Sequence, residues 1–349
     1  MSRKRWLLVA IALVLACFLV SGIAGSWLVR NVPAAARLVY GDPATALPAV
    51  QPTPQPASPT ARPEWIAFET KRGELGDYEI FVIAPDGSRL ANLTNSWADD
   101  LAPVWSPDGQ TIAFESYRDT LAGRWGWAKG SLYLLDFDPL TGTSSGKAVR
   151  LTDGAGNDGW ATWSPDGQRI AFHSDRSGNW EIWSIKVDGT GLIQLTDHAA
   201  DDRYPAWSPD GRQLAFTSKR GGNEDVWLMN VQDALQGIMD SGLTNLTQTP
   251  GRDRYPFWSP DGEQLTFNTK RDGDLEVYLM NADGSNPRNL SQSPQSTEGL
   301  ADWSPDGKRL VLYSSRPGNK DVFVVDLATG RWTNITNDPA SDEFCTWSP

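Results

Sequence analysis

The chain is poor in the residues from which most catalytic and metal centres are built. Its 349 residues include only two histidines, His173 and His198, and two cysteines, Cys17 and Cys345. That supply excludes a His-rich or Cys-rich metal site, and the wide separation of the cysteines implies no disulfide framework. A Ser-His-Asp triad has only those two imidazoles to draw on. Gly142-Thr-Ser-Ser-Gly146 matches the G-x-S-x-G pattern, but it lacks the strand-turn-helix setting that exposes such a nucleophile. Positive charge is scarce as well: 31 Lys and Arg stand against 43 Asp and Glu, a net charge of −12. Four of those cations, Arg3, Lys4, Arg5 and Arg30, fall in the first thirty residues, which hold no acid. A general nucleic-acid binder needs a basic footprint to neutralise phosphates, so that class is excluded.

What the chain does have begins with a long apolar run. Trp6 to Val29 is uncharged and follows Arg3-Lys4-Arg5. As a helix it would extend roughly 36 Å, enough to cross a bilayer core of about 30 Å. The flanking cations orient the N-terminus inside, with the rest of the chain outside the cytoplasm, periplasmic or extracellular. Residues 1–30 therefore read as a membrane anchor. A cleaved signal peptide, and lipidation at Cys17 after Val14-Leu15-Ala16, are the alternative readings. Residues 31–64 are rich in Ala and Pro, with Pro52, Pro54, Pro56, Pro59 and Pro63. Such a segment favours extended conformations and reads as a linker.

Self-similarity dominates residues 65–349. Trp-Ser-Pro begins at Trp105, Trp163, Trp207, Trp258, Trp303 and Trp347, and all but the last continue into Asp-Gly. A period near 44 residues suits a four-stranded propeller blade. Each Pro-Asp-Gly supplies a turn, and an alternating strand such as Gln213-Leu-Ala-Phe-Thr-Ser218 follows it. The first unit starts in its second strand, at Trp65-Ile-Ala-Phe68, whereas Phe344-Cys-Thr-Trp-Ser-Pro349 is an isolated first strand. The expectation is an all-β, six-bladed β-propeller closed by the C-terminal strand, which leaves no unpaired radial edge.

These repeats resemble the β-propeller of TolB-type proteins, a WD-repeat-like unit. The resemblance implies the fold more than the function, since propellers host many activities; the TolB propeller docks a peptidoglycan-associated lipoprotein, and the expectation here is a non-catalytic binding module. It also implies calcium in the channel as a possible cofactor. This chain has an apolar leader and a Pro-rich linker where TolB carries an α/β domain, a departure that bears on any Tol–Pal role.

The six copies act as an internal filter, because a residue present in all of them builds the blade. Arg recurs at Arg72, Arg118, Arg176, Arg220, Arg271 and Arg316, two residues after a Ser or Thr. An acid opens the third strand at Glu79, Glu181, Asp225, Glu276 and Asp321. Together they read as an Arg–carboxylate–hydroxyl clip for the loop between the second and third strands. A second set, Asp100, Asp158, Asp202, Asp253, Glu298 and Asp342, stands five residues before each Trp-Ser-Pro. It reads either as loop-holding carboxylates or as a ring at the channel mouth, whose oxygens would suit Ca²⁺.

Residues peculiar to one or two copies are the candidates for recognition. Trp97, Trp125, Trp127, Trp160 and Trp180 fall in loops expected on one face, and Arg203, Tyr204, Arg254 and Tyr255 follow at the same mouth. Aromatics beside Arg suit an interaction surface for a protein or peptide. A glycan stacked on the same rings is the alternative ligand, and an enzyme at the channel mouth a weaker one. The insertion at 231–242 is expected to hold a short helix.

Overall fold

The computed structural model describes residues 62–73, 76–119 and 129–349, which lie in a compact unit spanning Arg62–Pro349. The anchor at 1–30 and nearly all of the linker fall outside the described residues. Among the described residues, no helix is long and apolar enough to cross a membrane.

Six antiparallel four-stranded sheets form the blades, numbered I to VI along the chain. The inner strands of blades II to VI are Asp100–Trp105, Asp158–Trp163, Asp202–Trp207, Asp253–Trp258 and Glu298–Trp303. Blade I takes its inner strand from the C-terminus: Asp342–Trp347 pairs with Ile66–Thr70. Trp65 and Ser348 complete the seam, with the Trp65 N–H donating to Ser348 Oγ at 2.9 Å and the Ser348 N–H to the Trp65 carbonyl at 2.8 Å. The inner strands touch one another in ring order, so blade I faces blade IV across the channel.

The Trp-Ser-Pro-Asp-Gly signature works as a locked turn. In blade II, Ser106 Oγ donates to Asp108 at 2.7 Å and accepts from the Thr111 N–H at 3.0 Å. Gly109 supplies the positive φ of 67° that an L side chain resists. The tryptophan then reaches sideways between blades: Trp258 Nε1 donates to the Ala206 carbonyl at 3.1 Å and Trp105 Nε1 to that of Thr346 at 3.3 Å.

The second strands depart from the expected alternation. Leu214 to Ser218, for example, is buried at every position, because a blade inside a propeller is covered on both faces by its neighbours. Phe68, Phe114, Phe172, Phe216 and Phe267 are fully buried at the matching position. Each contributes about 2–3 kcal/mol of hydrophobic stabilisation. The insertion after the third strand of blade IV forms the helix Val231–Leu235, capped by the Asn230 side chain.

Candidate functional site

The repeated charges build the blades, with a different pairing from the one the spacing suggested. Each Arg after the second strand reaches the carboxylate that opens the inner strand of its own blade. Arg118 meets Asp100 at 2.7 Å, Arg176 meets Asp158 at 2.8 Å and Arg271 meets Asp253 at 3.0 Å. Arg316 meets Glu298 at 3.3 Å, and Arg72–Asp342 and Arg220–Asp202 repeat the contact. The hydroxyl was placed correctly, since Arg118 Nε donates to Ser116 Oγ at 2.9 Å. The third-strand acids belong to another clip, at the end of the fourth strand. Glu181 accepts from Thr196 Oγ1 at 2.6 Å and from the His198 N–H at 2.9 Å, and Asp225 accepts from Asn245 Nδ2 at 2.8 Å.

The inner-strand carboxylates are the ones that the sequence offers for a calcium ring. Asp100, Asp158, Asp202, Asp253, Glu298 and Asp342 are all 0% exposed and turned into their blades beside an arginine. Among the described residues, no group of three His, Cys, Asp or Glu is gathered to hold a metal ion. Burial outweighs the guanidinium in setting the acidity of Asp100 and Asp202, whose carboxyls rise to about 6.

The channel is closed by side chains that the inner strands turn inward. The third residue of each inner strand has positive φ: Ala102, Trp160, Tyr204, Tyr255, Leu300 and Phe344. A register shift accompanies it, as between Arg203 and Ala206, the mark of a bulge that re-aims a side chain. Trp160 stacks on Tyr255 with centroids 4.8 Å apart and planes at 15°. It meets Tyr204 at 4.5 Å and Phe344 at 4.3 Å edge-on. The preceding blade's second strand supplies acceptors that fix this plug. The Ala102 N–H donates to Glu69 at 2.8 Å, Leu300 to Asn268 at 2.8 Å, Tyr255 to Thr217 at 3.3 Å and Tyr204 to His173 Nδ1 at 3.4 Å. Burial, helped by Arg203, pushes His173 down to about 3, so the imidazole is a neutral acceptor.

Above the plug, the second residue of three inner strands, Arg203, Arg254 and Glu343, meets the preceding blade's loop. Arg203 lies over the Trp180 ring at 4.3 Å, and Trp180 meets His173 edge-on at 4.7 Å. Arg254 pairs with Glu224, and Glu343 with Lys320 at 2.6 Å. Glu343 and Arg203 hold the same register on opposite inner strands. The structure thus gathers Trp160, Trp180, Arg203, Tyr204, Arg254 and Tyr255 around one mouth. Trp97 is 46% exposed in the loop leading into blade II. Trp125 and Trp127 lie outside the described residues. Sequence reasoning missed Phe344, Glu343, Glu69 and the acceptor role of His173. The signal was present: the residue after the second-strand aromatic or Leu312 reads Glu69, Glu115, His173, Thr217, Asn268 and Tyr313, the variability expected of a channel wall.

Residues 204–301 match the model of the TolB beta propeller domain. An uncharacterized protein of Agrobacterium fabrum, Atu1656, is 32% identical over 229 residues, covering 62% of this chain and 54% of its own. The Tol-Pal system protein TolB of Alcanivorax borkumensis is 34% identical over 119 residues, covering 32% of this chain and 24% of its own. This chain therefore matches about half of the first relative's length and a quarter of the second's. The crystal structure of TolB from Acinetobacter baumannii superposes with a TM-score of 0.65 at 18% identity, over 82% of this chain and 66% of that one. That likeness concerns the fold.

Proposed function

From the premise that the chain carries a propeller of the TolB type, we propose that it is a non-catalytic binding module of the cell envelope. Its ligand is a protein or peptide, held at the mouth above the aromatic plug. The observation that carries this reading is the juxtaposition of Arg203 and Trp180 beside the Trp160–Tyr204–Tyr255 cluster. Half-buried aromatics next to Arg are the chemistry of interaction hot spots, and the plug gives them a rigid floor. The name of the Alcanivorax relative, a Tol-Pal system protein, supports an envelope setting. Residues 1–30 would hold the propeller at the membrane, supported by the uncharged run from Trp6 to Val29 after three cations.

The test compares the full chain with a double variant, Trp180→Ala and Arg203→Glu, in cross-linked pull-downs from envelope extract. Both substitutions lie on the rim and leave the plug intact. A protein captured by the parent, and lost from a variant of equal thermal stability, supports the reading. Equal capture by both removes this mouth from consideration. Retention of the parent alone on immobilised envelope polysaccharide would replace the protein ligand with a glycan.

A further inference from the structure

The aromatic plug has a second side, toward the mouth at the Trp-Ser-Pro turns. A cavity of about 250 Å³ opens there, with Trp105, Trp163, Trp207, Trp258 and Trp347 in its wall and Trp160 reaching it from the plug. Drug-sized pockets span roughly 300–1,000 Å³, so this one suits a group of few heavy atoms. Among the described residues that line it, Asp302 alone is ionisable, and no Lys or Arg is there to neutralise it.

Asp302 is peculiar to its blade. The same place in the other inner strands holds Val104, Thr162, Ala206, Phe257 and Thr346. Its carboxylate is fixed in position, accepting from the Trp303 N–H, Thr346 Oγ1 and the Trp347 N–H, each at 2.8 Å. Thr162 performs the equivalent backbone duty in blade III, accepting the Trp207 N–H at 3.3 Å without a charge. Holding the next strand therefore does not require a carboxylate. Burial raises the Asp302 carboxyl above its ordinary range, the expected result for an acid with no cation nearby.

We propose that this cavity binds a small organic cation, a protonated amine or quaternary ammonium group, with Asp302 as counter-charge and the tryptophans as a π-rich wall. The cation comes either from a free small molecule or from a lysine side chain presented by a partner. The site lies on the opposite mouth from the one proposed above and stands independently of it.

The experiment titrates the full chain with choline and with its uncharged isostere 3,3-dimethylbutan-1-ol, following saturation-transfer NMR. Choline is expected to bind saturably and at least about tenfold more tightly than the alcohol, a difference of about 1.4 kcal/mol. Asp302→Asn keeps an acceptor for Trp347 and is expected to erase that ratio. If this variant does not fold, the parent still decides the matter, through the isostere ratio and a loss of choline affinity as the pH falls. Equal affinity for the two probes, no saturable choline binding, or an unchanged ratio in a folded Asp302→Asn protein overturns the proposal. Nα-acetyl-lysine methylamide separates the sources: affinity equal to that of choline points to a partner's lysine, and choline binding alone points to a free cation.

Discussion

Trp65 and Gly142 fit together so closely that a Cβ on the glycine would lie 2.1 Å from Trp65 Cη2. The contact joins the residue before the second strand of blade I to the connection between Ser131–Asp136 and Val149–Arg150 of blade II. Trp65 Nε1 donates to the Pro139 carbonyl at 2.8 Å, and Arg89 covers the indole at 4.5 Å. Gly142 also has φ of 74°. Gly142→Ala should therefore lower stability by about 2–4 kcal/mol, from overpacking and the positive φ together. Urea unfolding checks this, and a loss below about 1 kcal/mol would show that the connection around Gly142 yields freely.

Trp160 combines a central contact with a φ of 53°. Removing the indole by Trp160→Ala should cost about 3–5 kcal/mol. Trp160→Gly removes the same atoms but relieves the backbone, so it should be more stable than the alanine variant by about 1 kcal/mol. This reverses the usual order within a strand. An alanine variant as stable as the glycine one would contradict the bulge geometry.

Arg118 and Arg212 offer a matched contrast. Arg118 neutralises a fully buried carboxylate, whereas Arg212 and Asp210 are 81% and 58% exposed and 4.0 Å apart. Arg118→Ala should cost about 3–5 kcal/mol because Asp100 is left buried and unpaired. Arg212→Ala should change stability by less than about 0.5 kcal/mol. Similar costs for the two would mean that the repeated Arg is not what holds the inner strands.

Glu69 stands directly opposite Glu343 across two strands. Burial lifts its carboxyl to about 8, aided by Glu343 and Glu115 and opposed by the Ala102 N–H. The folded protein thus keeps a proton that the unfolded chain, with its value near 4.5, gives up. Stability from this group is full below about pH 4.5 and drains away as the pH climbs toward 8. Glu69→Gln should remove that slope, gaining about 3 kcal/mol on the parent between pH 5 and pH 8. Parallel stability curves for the two proteins would place the proton elsewhere.

The spacing of Trp-Ser-Pro and the two incomplete ends made the six blades and their closure legible, because a period and a missing strand are countable. The pairing of Arg118 with Asp100 was not legible. Both Asp100 and the third-strand acids recur with the same period, and only the sheet register decides which one the guanidinium meets. The plug was half visible. Tyr204 and Tyr255 are readable as a pair, but alternation cannot show that a bulge turns them inward onto Trp160, whose ring also meets Phe344. Trp97 shares their residue class and stands 46% exposed in its loop, a direction that nothing in a loop sequence fixes.

Closure by Asp342–Trp347 also sets a clock on biosynthesis. Ile66–Thr70 leaves the ribosome about 276 residues ahead of the strand it pairs with. At about 5–20 residues per second, the gap lasts roughly 14–55 s. Throughout that interval the first blade presents a bare strand edge, and Glu69 is an ordinary solvated carboxylate on it. Its charge, costly once buried, discourages pairing with other chains while the ring is still open.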